Sequence, residues 1–339
     1  MVYLHVPFCR SFCVYCDFYS EIACRGRDGG LVEAWADGVL AEIDSRAEEI
    51  AATLDLNTLY IGGGTPSVLP LSVLERLLRA LEPITGAGPL SGARYAEFTV
   101  EVNPDDITER GADYVSGLQG LGVTRISMGV QSLDDGILRW MNRRHSSDGA
   151  RRAFRLLRSA APSADVSVDL ISGVPGMSAD MLSRSLEEVI SWRPEHISAY
   201  QLSIEEGSGL ARRISSGEIW ELDEEECRAQ YELLCSRLRE AGYVHYEISN
   251  WALPGHEALH NSAYWTRHPY AGLGPGAHSL IGNRRSWNSR SLSGWTSEGE
   301  DLSPGEIHEE EVMLLARTSR GPIPEADWFI ADELIAQML

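Results

Sequence analysis

Lysine is absent. All 29 basic side chains are arginine, set against 50 Asp and Glu residues, for a net charge of −21 over 339 residues. Without an ε-amine the chain has no lysine Schiff base, no phosphate-loop lysine and no lysine general base. The acid excess also argues against a nucleic-acid partner, which requires a basic face. Long apolar runs are missing: nothing approaches the roughly 18 consecutive apolar residues of a membrane-spanning helix. No secretory signal or twin-arginine segment is present. Cysteine is scarce, six in all, and three of them crowd into Cys9, Cys13 and Cys16. Cys24, Cys227 and Cys235 are scattered, the last two in a helical pattern that reads as core rather than disulfide.

What is present is an ordinary globular composition, 43% hydrophobic, enough for one large domain and a smaller one. Strand-like and helical runs alternate. Strands are expected at 2–6, 56–61, 97–102, 125–130, 166–171 and 197–202. Helices are expected at 31–50, at 71–81 and from about Thr108. Thr85-Gly86-Ala87-Gly88-Pro89 reads as a plain surface loop. Six βα units in succession predict parallel strands covered by helices. After about residue 205 the rhythm changes to a charged helix at 223–241, a strand at 243–248, a Gly-, Trp- and His-rich stretch at 250–295, and a helix at 306–318. The expected division is therefore 1–205 and 206–339.

Cys9-x3-Cys13-x2-Cys16 directly follows the first strand. Thiolates packed this closely suit an iron–sulfur cluster or zinc. Three are too few to ligate every iron of a four-iron cubane, so one iron would stay open for an exchangeable ligand. A structural zinc site would need a fourth ligand, which His5 or Cys24 could supply. Three unrelated buried thiols are the remaining reading. The glycines of Gly62-Gly63-Gly64-Thr65-Pro66 would let backbone approach a ligand, but a plain βα turn explains them equally well. Glu101 near the end of an apolar strand reads alone as a solvated strand end. Asp169 inside an apolar strand is costly unless it is paired.

The cysteine spacing, followed by an aromatic, resembles the radical S-adenosylmethionine (SAM) superfamily. The longer string Tyr3-x-His5-x-Pro7-Phe8-Cys9 is similar to its coproporphyrinogen oxidase-like branch. That resemblance implies a curled, incomplete (β/α)6 barrel with a smaller C-terminal α+β region. It implies a [4Fe–4S] cluster on Cys9, Cys13 and Cys16, with SAM on the open iron, cleaved by an electron that a separate donor supplies. It further implies SAM contacts at Gly63, Gly64, Thr65, Glu101, Gln131, Arg143 and Asp169, and more loosely at Tyr3, Tyr15 and Ser203. Gln131 and Arg143 stand in the string from Arg125 to Ser132 and the pair Asn142-Arg143. A guanidinium there would pair with the SAM carboxylate.

His260-Asn261-x-x-Tyr264-Trp265 is similar to the haem-chaperone branch, HemW. The implied ligand is haem, with His260 as axial ligand and Tyr264 and Trp265 packing nearby. His256, His268 and His278 are rivals, and the alternative reading of His260 is a structural residue whose ring is satisfied by a backbone carbonyl. The oxidase pattern carries a further cysteine two residues after the third; here that position is Phe18. The oxidase also has an N-terminal extension, whereas this chain begins two residues before Tyr3. Both departures favour a haem chaperone, which passes haem to an acceptor protein, over an oxygen-independent coproporphyrinogen III oxidase. The family's C-terminal domain reads as cut short at Leu339. A cluster-binding chain is expected in a reducing compartment, the cytoplasm, with peripheral membrane docking left open.

Overall fold

The computed structural model of the chain describes residues 1–22, 30–205 and 208–339. Cys24 lies outside the described residues, as do 206–207, where the expected second region begins. Strand β1 (Val2–Val6) leads into the cysteine loop, which is flanked by the short parallel pair β2 (Phe8–Cys9) and β3 (Glu21–Ile22). The strands β4 (Thr58–Gly63), β5 (Glu97–Val102), β6 (Arg125–Gln131), β7 (Asp165–Ser172) and β8 (His196–Gln201) follow, with helices between them. The later chain contributes β9 (Val244–Glu247), β10 (Asn250–Ala252) and β11 (Ala271–Leu273). It also forms an antiparallel sheet of β12 (His278–Ile281), β13 (Arg284–Asn288) and β14 (Ser297–Asp301).

The large sheet has the order β11-β1-β4-β5-β6-β7-β8-β10-β9. Strands β1 and β4 to β8 are mutually parallel, as the βα rhythm predicts. The C-terminal region caps both edges. Strand β11 adds in parallel to β1, and β10 adds antiparallel to β8. One face of each strand is apolar and packs on the helices: Leu59 and Ile61, Phe98 and Val100, Ile126 and Met128, Val166 and Val168 all belong to one buried core. The alternate positions are polar and line a single central cavity, so the sheet curls around it as an incomplete barrel.

Several boundaries differ from the sequence reading, each for a local reason. The helix expected at 31–50 divides into Leu31–Ser45 and Ala47–Ala51. Arg46 leaves helical geometry because its guanidinium donates to the Gly272 carbonyl at 2.8 Å and to Ser279 Oγ at 3.1 Å. The helix expected from Thr108 begins at Pro104, whose fixed φ and missing N–H suit a first helical position. The helix expected at 71–81 runs on to Thr85, ending at Gly86 in a left-handed conformation. The loop after it is tied down, with Glu82 accepting from the backbone N–H groups of Leu90 and Ser91.

Buried Glu42 fixes the C-terminal region to the barrel. Its carboxylate accepts from Gly274 N, Asn288 Nδ2 and Trp295 Nε1, each at 2.8 Å, and pairs with Arg46. A second, smaller core of Ala316, Ile323, Trp328, Ala331 and Ile335 gathers near the C-terminus.

A candidate cluster and SAM site in the barrel

The cysteine loop is held in place by contacts that need no metal. Phe8 is buried edge-on against Trp35, with ring centroids 5.7 Å apart. Val14 donates its N–H to Met141 O and accepts from Leu210 N, while Asn142 Nδ2 donates to Phe12 O at 2.7 Å. His5 anchors the far end, with Nε2 2.9 Å from Tyr19 O and Nδ1 3.0 Å from the Tyr3 hydroxyl. Both His5 nitrogens are therefore engaged, which removes it as the fourth ligand of a zinc site.

Cys9, Cys13 and Cys16 are half-buried, free, and open into one cavity of about 1110 Å³. Burial pushes the Cys9 thiol up and the Cys16 thiol up to about 11, and the neighbouring thiols push both further the same way. Cys9 and Cys16, costly to ionise alone, suit a strongly cationic metal centre. Thr65 Oγ1 lies 3.5 Å from Cys9 Sγ and accepts from Asn103 Nδ2, so this residue supports the cysteines directly. Arg143 points its guanidinium at Cys13 Sγ, 3.5 Å away, and donates to Asn103 Oδ1 at 2.5 Å and to the Gly129 carbonyl at 2.7 Å. It braces the cysteine loop against the ends of β5 and β6. Half-buried Tyr15, its phenol pushed up by desolvation, sits among Cys13, Cys16 and Arg143.

The glycines pack against the strand that leads into the cysteines. Gly63 has φ +110°, and a side chain there would meet the His5 ring at 2.5 Å. A side chain at Gly64 would meet the Phe8 and Val6 carbonyl oxygens at 2.8 and 2.9 Å. Glu101 accepts from the Tyr60 hydroxyl at 2.7 Å and from Gly63 N at 3.0 Å. Burial, with Asp169 nearby, raises its pKa to about 7. Asp169 accepts from Ser127 Oγ, which spares it the unpaired state that its strand position threatened, although burial still raises its pKa. Gln131 stands at a bulge in β6 with φ +64°, and its buried Oε1 has no hydrogen-bond partner among the described residues. An orphan acceptor on a cavity wall is what a ligand's donor would satisfy. The thiol trio, the glycine cradle and this orphan oxygen together fit a cubane with SAM beside it.

Of the residues expected here, Cys9, Cys13, Cys16, Tyr15, Gly63, Gly64, Thr65, Glu101, Gln131, Arg143, Asp169 and Ser203 all line this one cavity. Ser203 is exposed at its rim and donates to Glu205. Tyr3 stands behind it, acting through His5.

The residues expected to contact haem, His260, Tyr264 and Trp265, do not line this cavity. His260 is fully buried at the opposite end of the barrel, with Nδ1 2.8 Å from Thr58 Oγ1 and Nε2 3.0 Å from the Tyr264 hydroxyl. Both nitrogens are engaged, and Tyr264 is the hydrogen-bond partner of one of them. Trp265 ends the same short helix, Leu259–Tyr264. Glu97 accepts from the N–H groups of Leu259 and His260, both at 2.9 Å, and pairs with Arg125. The stretch thus plugs the barrel floor.

Sequence reading missed that floor, together with the polar ring above it. Thr99, Arg125, Ser127, Ser167, His196 and Ser198 all line the cavity. The signal was present as alternation within apolar strands: Glu97, Thr99, Glu101; Arg125, Ser127, Gly129; Ser167, Asp169; His196, Ser198.

This barrel and its three-cysteine mouth define a radical SAM protein, and the Radical SAM superfamily model matches residues 3–189. The solved structure of Escherichia coli coproporphyrinogen III oxidase (HemN) shares the fold, with a TM-score of 0.75 over 92% of this chain and 74% of that one, at 21% identity. Among curated proteins, heme chaperone HemW of Mycobacterium tuberculosis is 36% identical over 330 residues, which are 94% of this chain and 82% of that protein. HemW of Bacillus subtilis is 32% identical over 333 residues, 94% and 83% of the respective chains. The chain belongs to the HemW family of the radical SAM superfamily.

Proposed function

We propose that this protein is a haem chaperone: it binds haem and passes it to an acceptor protein, with a [4Fe–4S] cluster held by Cys9, Cys13 and Cys16 and SAM lodged in the same cavity. The observation that carries this reading is the identity to proteins named heme chaperone, spread over 94% of the chain. Phe18 supports it, because it presents an exposed apolar ring at the cavity mouth where the oxidase pattern has a thiol. The cluster supplies a site for one-electron chemistry when bound. The chain's own residues orient it, with Thr65 and Arg143 bracing the thiolates and Glu101, Gln131 and Asp169 offering acceptors to SAM. A separate electron donor serves the cluster. The protein works in a reducing compartment, the cytoplasm, where thiolate ligands persist, with peripheral docking at a membrane as part of the same reading. No helix among the described residues is long and apolar enough to cross a membrane.

Within this reading the axial ligand is His278 rather than His260. His278 is exposed on β12, its ring nitrogens have no partner among the described residues, and its ring lies beside Trp287, with centroids 6.3 Å apart. Burial and nearby arginines lower its pKa, so the imidazole is neutral at pH 7 and able to bind iron. The turn before it packs Gly276 against Tyr19 and Arg290 of the cavity wall. The test is haem titration of the reconstituted protein, followed by the Soret band, with coproporphyrinogen III offered in parallel. His278→Ala should weaken haem binding at least tenfold and shift the band, and coproporphyrinogen should persist unchanged. Consumption of coproporphyrinogen with release of carbon dioxide would replace the chaperone reading with the oxidase. An unaltered spectrum in His278→Ala would remove that ligand.

A further inference from the structure

Far from the barrel mouth, Cys235, His245 and Glu325 converge. They come from three separate elements: the helix Glu224–Glu240, strand β9, and the 3-10 turn Glu325–Ile330. One ligand atom from each, a sulfur, an imidazole nitrogen and a carboxylate oxygen, lies within 4.8 Å of the other two. The histidine is held as a metal ligand usually is. Its ring stacks on Trp251 at 4.0 Å and meets Trp328 edge-on at 4.4 Å. Nε2 faces the Ile248 carbonyl at 3.3 Å, so a metal ion that displaces the proton from Nδ1 leaves the remaining ring proton on Nε2 with an acceptor. At present Nδ1 lies 3.0 Å from Glu325 Oε1, an oxygen it shares with Arg239 at 2.8 Å. The Arg239 side chain is 65% exposed and free to swing into solvent. Next to the thiol, the buried Tyr231 hydroxyl has no well-formed hydrogen bond among the described residues. The cluster is thus polar, partly unsatisfied and enclosed by aromatic rings on one side, while Glu325 leaves it open to solvent on the other.

We propose that Cys235 Sγ, His245 Nδ1 and a Glu325 carboxylate oxygen form a zinc site that staples the C-terminal segment to the barrel. One thiolate, one imidazole and one carboxylate are a borderline-soft donor set that matches Zn²⁺, and a water on the Glu325 side completes the tetrahedron. Binding ionises the Cys235 thiol and releases its proton to solvent, and Arg239 gives up its pairing with Glu325. Because the ligands come from elements that meet only in the folded chain, the metal adds to the attachment of the Trp328 core. This site is independent of the haem reading and of the cluster, so its test needs neither haem nor SAM.

The experiment uses full-length protein with its cluster reconstituted, so that Cys9, Cys13 and Cys16 are occupied. Zinc is titrated against a chromophoric chelator, and Co²⁺ is added separately as a spectroscopic probe. The parent should hold one zinc per chain and show a thiolate-to-cobalt charge-transfer band. Cys235→Ser and Glu325→Gln should each lower zinc affinity at least tenfold, and Cys235→Ser should lose the band. Cys227→Ser, on the same helix, should match the parent in both. Zinc should also slow proteolysis within residues 304–339 of the parent and not of Cys235→Ser. A parent that binds no zinc, or a Cys235→Ser protein that binds it as tightly, overturns the proposal. If Cys235→Ser fails to fold, the Glu325→Gln titration decides the matter, because that side chain is 38% exposed and outside the core.

Discussion

Glu101 illustrates how a single buried carboxylate sets conditions for a ligand. Its pKa is raised to about 7, chiefly by burial. A raised carboxyl pKa means that the folded, ligand-free protein holds the proton more tightly than the unfolded chain does. The resulting stabilisation is complete below the ordinary value of 4.5 and is lost as pH rises through about 7. Ribose hydroxyls, by contrast, donate best to the ionised form. SAM affinity should therefore increase between roughly pH 6 and 8, one unit either side of that midpoint. Glu101→Gln should flatten the profile; isothermal titration at three pH values checks it. His260 teaches the complementary lesson. Its type and neighbours in sequence pointed to a metal, yet Thr58, two hundred residues earlier, satisfies its ring. No sequence period encodes that pairing, so the structural alternative was visible but could not be preferred.

At the level of elements, the strand–turn–helix after β4 is the most demanding piece. Gly64 N donates to Val6 O at 2.8 Å, so the turn sits directly against the strand that carries the cysteines. Gly64→Ala would drive a methyl group into two backbone carbonyl oxygens. That overpacking should destabilise the protein by about 1–3 kcal/mol and lower cluster occupancy, as read by chemical denaturation and iron content. The strands were legible because period-two alternation and βα rhythm are local properties. Strand β5 falls on its expected residues, Glu97–Val102. The helix break at Arg46 was illegible because its cause, the Gly272 carbonyl, lies 226 residues away. The cysteine, glycine and Gln131 positions were legible through motif resemblance. The polar floor was not, since its signal repeats weakly over four strands and becomes a site only when the sheet curls.

For the whole molecule, the cysteine loop and the barrel are separable in stability. The loop is fastened by Phe8, His5, Asn142 and backbone hydrogen bonds to Met141 and Leu210, none of which involves a thiol. A Cys9→Ser, Cys13→Ser, Cys16→Ser protein should hold no cluster yet keep the parent's far-ultraviolet circular dichroism and unfold cooperatively on heating. Loss of the helical signal at room temperature would show that metal is needed for folding. The pairing of β1 with β11 reaches further. Val2 leaves the ribosome well before its partner Ala271, 269 residues further along the chain (271 − 2). At roughly 5–20 residues per second, that interval is on the order of 10–50 s. Throughout it the strand bearing the cysteines has one edge unpaired and open to other chains. Cluster delivery and protection by general folding factors therefore compete for the same nascent edge, and slowing translation between β8 and β11 should lower the yield of iron-loaded protein even though no residue is changed.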